Sequence, residues 1–295
     1  MDGPAAVAVD SQPELLPSVT RRVNAHRVVL IGWARAILMQ LAHPLVAAGV
    51  YDHSTFRTSP LAAATRLQQT VRAMLALTFG NDADQQRAIE GIRAIHRRVR
   101  GRLAEAAGRF PKDTPYSAED PDLVLWVHAT LVESFPLAYE RFVRPLSEGD
   151  RDRYCVEAVP VALALGARAA EVPDTWARAR EYLAVMYASG AIVVTPQARE
   201  LSNAVLAPAL ARLVAPVAWG HRLLTTGLLP GHLRHQYGLP WTPARQRLFE
   251  ALLPTIRAAT AMVPGQLALW PEARRSRQQP GKRDSPAGHA GGRDS

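Results

Sequence analysis

The chain has 295 residues, 48% of them hydrophobic and 21% charged, with a formal net charge of +9 and one cysteine, Cys155. That length suffices for one large core or two smaller ones, and a lone thiol excludes an intrachain disulfide framework. The arginines are scattered through helical segments, with no interleaved aromatics, zinc-finger spacing or helix-turn-helix signature, so the charge does not read as nucleic-acid binding.

Taken in chain order, residues 1–18 are polar and rich in proline, and lack the basic start and apolar run of a signal peptide. They are expected to be disordered, and a cytoplasmic location is the expectation. Pattern and punctuation then predict helices near Val23–Gly49, Leu61–Thr78, Ala83–Ala107, Pro121–Val143, Glu148–Leu165, Asp174–Ala188, Pro196–Leu229 with breaks, and Pro243–Met262. Only Ala191–Thr195 offers a candidate strand. Asp120-Pro121 places a capping carboxylate before a proline at the first helical position, and Ser147 and Asp174 occupy comparable starts. The first helix is apolar on nearly every side from Val28 to Val50, which predicts deep burial. Pro44 should bend it, because its ring frees the carbonyl of Gln40. The apolar stretch Ala204–Trp219 is interrupted by Pro208, Arg212 and Pro216 and is too short to span a bilayer, so no stable membrane insertion is expected. From Pro271 the composition turns polar again. The reading is therefore one helical domain over 19–270 between disordered ends, 1–18 and 271–295.

Nine histidines need sorting. His128 lies in mid-helix with Val124, Leu125, Leu131 and Val132 three and four residues away, so its imidazole points into an apolar interior. Two readings stand: a core histidine bonded to a carbonyl, or a neutral haem ligand. His96 joins Ile89, Ile92, Val99 and Leu103 on one helical face, with Arg93 and Arg100 a turn to either side. It reads as an ordinary basic helix edge or as the distal side of a cofactor pocket, where the cations meet carboxylates. His43 beside Pro44 suggests a pocket wall, and His53 a helix-ending turn. His232 and His235 have the HxxH spacing of metal ligands without a third ligand in view. Cys155 reads as a small buried apolar residue.

Taken together, several segments resemble a known family. They are Gln40 to Val50 with Asp52-His53-Ser54, then Thr78-Phe79-Gly80, then His96 with Val99 and Gly101, Tyr116 to Pro121, and Trp126 to Ser134. In this order they resemble the bacterial family that groups rubber oxygenase (latex clearing protein) with the mycophenolic-acid-pathway oxygenase, over roughly residues 20–260. The resemblance implies an all-α multi-helix bundle with a globin-like core around haem b, and dioxygen used to oxidise or cleave a small apolar substrate. By position His128 matches the proximal iron ligand. Arg93 matches an arginine of the family, whereas His96 stands where rubber oxygenases carry a lysine and Arg97 where they carry a threonine. The resemblance thus implies His128 and His96 as metal-facing residues and His96, Arg93 and Arg97 as the catalytic distal group. His128, His43 and Arg100 are the cofactor-binding set. The family's upstream glutamate has no counterpart near Leu77, so rubber itself is not the expected substrate. Two rivals stay open: a helical ligand-binding protein without turnover, and a non-haem metal enzyme, which the absence of a Glu-x-x-His pair disfavours.

Overall fold

The computed structural model describes residues 18–53, 60–207 and 215–278. Three helices and a 3-10 turn stand where a single long first helix was expected: α1 Val19–Asn24, the turn Arg27–Val29, α2 Leu30–Leu41 and α3 Pro44–His53. The remaining elements follow as α4 Pro60–Phe79, α5 Asp82–His96, β1 Arg100–Arg102, β2 Pro115–Ser117, α6 Pro121–Phe142, α7 Glu148–Leu165, α8 Trp176–Ala188 and α9 Pro196–Leu206. After them come α10 Ala215–Leu228, α11 Gly231–Gln236, α12 Pro243–Met262, α13 Gly265–Ala268 and α14 Pro271–Gln278. The fold is all-α, with a two-stranded antiparallel hairpin as the sole sheet among the described residues.

At the centre, α2 packs along α6. Small residues let them approach: a Cβ on Gly32 would lie 2.6 Å from the Ser134 carbonyl oxygen and 2.7 Å from Ala138 Cβ. The helices α7 and α8 flank α6, while α9 and α10 cover α2. A large apolar cluster of Leu38, Met39, Trp126, Leu201, Leu206 and Leu233 fills the α2 side of α6. A second, with Val23, Trp33, Val132, Phe135 and Tyr154, lies toward α1 and α7.

Local signals account for most helix starts. Asp120 accepts from Asp122 N at 2.9 Å with Pro121 at the first position of α6, and Ser147 accepts from Asp150 N at 3.1 Å to open α7. At α8 the cap is Thr175, which accepts from Arg178 N. Asp174, expected in that role, pairs instead with the Arg178 guanidinium at 2.8 Å. At α1 the cap comes partly from far away, since the Glu157 carboxylate of α7 accepts from Thr20 N at 2.8 Å and Val19 N at 3.1 Å.

Four sequence expectations change. Pro44 does not bend a continuous helix; it starts a new one, and α2 and α3 meet at 104°. The Gln40 carbonyl it was expected to free accepts from His43 N at 3.1 Å and from the Trp126 indole at 3.4 Å. The helix expected over Ala83–Ala107 ends at His96, because the chain enters β1, where Gly101 faces Tyr116 in the hairpin. A Cβ at 101 would lie 2.4 Å from the Tyr116 hydroxyl. Ala191–Thr195 forms no strand; Val194 N donates to the Gln236 side chain at 2.8 Å instead. The polar stretch from Pro271 begins with α14, whose Ala273 is buried. Of the ends expected to be disordered, 1–18 and 271–295, residues 1–17 and 279–295 lie outside the described residues, as does 208–214 within the expected helix 196–229. No single helix among the described residues is long and apolar enough to cross a membrane; α2 and α3 reach that composition only as a sharply bent pair.

Candidate functional site

The site is built on α6. Successive residues of a helix turn by about 100°, so Trp126 and Thr130 point one way and His128 nearly the opposite way. The first pair faces α2: the Gln40 side chain donates to Thr130 Oγ1 at 3.1 Å. His128 therefore turns away from α2, toward the side where α7 packs. Val124 and Leu125 pack there with Ala162 of α7, and Leu131 joins the apolar cluster that Val71 and Met74 of α4 also touch. α5 lies across α4 and α7 and has no fully buried residue of its own.

His128 is 9% exposed, and burial lowers its pKa to about 4. At neutral pH the ring is uncharged. Its Nε2 is buried and has no hydrogen-bond partner among the described residues. A buried nitrogen without a partner costs free energy that a core histidine would recover with a carbonyl. The core reading is thus left without its hydrogen bond, while a neutral imidazole with a free nitrogen is what a metal ligand requires.

His96 ends α5 rather than sitting in mid-helix. It is half-buried, with its pKa lowered by burial, against the pull of Glu119 and with help from Arg66. Its Nδ1 is likewise buried and unpartnered. Arg93 and Arg97 are exposed at the same end. Arg100, expected on the same helix, lies in β1 and is exposed; its guanidinium turns back to donate to the Arg97 carbonyl at 3.1 Å. Hydrogen bonds and ring contacts do not join His96 to His128.

His43 lies away from that side. At the α2–α3 corner it is 3% exposed, with its Nδ1 accepting from Leu45 N at 3.3 Å. Its ring sits 5.1 Å from Phe110 and 6.4 Å from Trp126, so it belongs to the face of α6 opposite His128. Burial, then the Arg109 charge, lowers its pKa to about 4. His53 ends α3 as its turn sequence suggests, bonding the Arg100 carbonyl at 3.0 Å beside the Tyr116–Asp52 hydrogen bond of 2.6 Å. The His232 ring packs on Tyr187. No group of three or more histidine, cysteine or acidic side chains able to hold a metal ion occurs among the described residues. The Cys155 thiol is buried and pushed up to about 12, which leaves it unreactive.

One functional-looking cluster escaped the sequence reading. Arg35, 3% exposed in the apolar α2, pairs with Glu133, donates to Ser134 Oγ at 2.5 Å and reaches the Leu228 carbonyl at 2.8 Å through Nε. A lone charge in an apolar helix must find a partner, and that was the available signal. It ties α2, α6 and the end of α10 together.

Comparison with known proteins gives this geometry a context. The family described as ER-bound oxygenase mpaB/B'/rubber oxygenase, catalytic domain, matches residues 20–258. The chain belongs to this family. It is also 27% identical over 246 residues, 80% of this chain and 93% of the relative, to an uncharacterized protein of Mycobacterium bovis. An uncharacterized protein of Mycobacterium tuberculosis matches to the same extent. No solved structure matches significantly.

Proposed function

We propose that this protein is a haem b-dependent oxygenase acting on a small apolar substrate with dioxygen. The observation that carries the reading is the buried, uncharged His128 ring with its partnerless Nε2, on the α6 segment that resembles the family's proximal-ligand segment. His128 would hold the iron; the haem, when bound, supplies the oxygen-activating redox chemistry. The chain's own residues do the rest. The apolar neighbours Val124, Leu125 and Val132 exclude water around the ring and keep it neutral. His96, held neutral by partial burial, offers one donor and one acceptor nitrogen at the end of α5, with Arg93 as the adjacent cation. Arg97 and Arg100, exposed at the end of that helix, are placed to meet carboxylates such as haem propionates.

The test is an absorption spectrum with a pyridine haemochrome assay on wild type and His128→Ala, each checked for helicity by circular dichroism. The expected outcome is a haem spectrum in wild type and its loss in a folded His128→Ala. Normal haem content in the variant would remove His128 as the ligand. His96→Ala should retain haem while its spectral response to cyanide changes; an unchanged response would count against a role on the oxygen side.

A further inference from the structure

Trp126 and His128 stand two residues apart on α6, facing opposite sides of it. Trp126 is fully buried, and among the described residues only two rings meet its own: His43 at 6.4 Å and Tyr187 at 6.1 Å, the latter edge-on at 88°. The two branches differ chemically. His43 leads on to Phe110, and neither imidazole nor a benzene ring gives up an electron readily. Tyr187 is half-buried on α8 and packs edge-on, 4.4 Å between centroids, against the exposed His232 of α11. Indole and phenol are the side-chain rings most easily oxidised by one electron, and here they stand in contact along a line from the centre of the molecule to its surface.

We propose that Trp126, Tyr187 and His232 form a one-electron relay that carries oxidising equivalents from α6, on its face opposite His128, out to the surface. The proposal rests on the haem reading above, and the oxidant is of the peroxide-activated iron class. Trp126 gives one electron to that oxidant. Its N–H proton stays in place, because its partner is the Gln40 carbonyl, a very weak base. The resulting indole radical cation takes one electron from Tyr187 and is restored. Tyr187 is un-ionised, its phenol pushed upward by burial, so its proton must leave with the electron; the His232 ring packed edge-on against it is assigned as the base. The net change is one electron delivered to the oxidant, one tyrosyl radical at the rim and one proton on His232. A thiol-class reductant in solution closes the cycle by giving a hydrogen atom to Tyr187, while His232 loses its proton to water. Such a route spares the buried site when oxygen is activated without substrate.

The experiment treats the haem-loaded protein with hydrogen peroxide without organic substrate, freezes it, and reads the electron paramagnetic resonance spectrum. Oxidised residues are mapped by peptide mass spectrometry. A tyrosyl signal that narrows with ring-deuterated tyrosine is expected. Tyr187→Phe, which keeps the ring and its packing, should abolish that signal and move the oxidation products onto Trp126. Trp126→Phe should abolish the signal with Tyr187 intact. The same signal in Tyr187→Phe, or an oxidation map that bypasses both residues in a protein with a normal haem spectrum, overturns the relay alone. A wild-type protein that takes up no haem overturns both the relay and the reading beneath it.

Discussion

Burial holds His43 and His128 to pKa values of about 4, against 6.5 for the free ring. The unfolded chain therefore takes up protons between pH 6.5 and 4 that the folded, haem-free protein refuses. This contribution to stability is complete above pH 6.5 and is lost as the pH falls toward 4, by at most about 3 kcal/mol per ring. Urea denaturation of the haem-free protein should show its midpoint falling steadily over that range. His43→Asn, which retains an acceptor for Leu45 N, should remove part of the dependence. A variant with the wild-type profile would place the titration elsewhere. The two rings differed in how far they could be read from the chain. The apolar neighbours of His128 follow from helical spacing, so its burial was legible. That His43 lies against Trp126 and Phe110, away from His128, follows only from the 104° corner between α2 and α3.

At the level of elements, α2 and α6 depend on close approach. Gly32→Ala would drive its Cβ against the Ser134 carbonyl and Ala138, neither of which is a flexible side-chain end. The helices must separate, and the expected cost is about 1–3 kcal/mol of overpacking, read as a lowered thermal midpoint. Gain of stability, as an ordinary helical Gly→Ala change gives, would show that the contact yields. Caps and proline positions made α6, α7, α9 and α12 legible, since the atoms involved lie within four residues of one another. The end of α5 was not legible in this way. Its basic and apolar periodicity runs on past His96, and the chain leaves the helix only because β2 pairs with β1 and the Tyr116 ring needs the space beside Gly101.

Across the whole molecule burial is uneven. α6 carries fourteen buried residues, while α5 carries none and rests on α4 and α7 by half-buried side chains such as Ile89 and Ile92. Hydrogen exchange should therefore be slowest in α6 and much faster in α5 of the haem-free protein, because regions with few buried apolar contacts open at low free-energy cost. Haem loading should slow α5 selectively if His96 and its arginines face the cofactor; equal protection with and without haem would separate α5 from the site.

The amino-acid sequence by itself determined the helical class, the starts of α4 to α9 and α12, the buried setting of His128 and the order of segments that marks the oxygenase family. These depend on spacing and on contacts between residues a few positions apart. The tertiary structure alone decided that Pro44 opens a new helix, that Arg35 finds Glu133 across 98 positions, and that Trp126, Tyr187 and His232 line up. Such partners come from distant elements, and no local pattern records which face of one helix will meet which face of another.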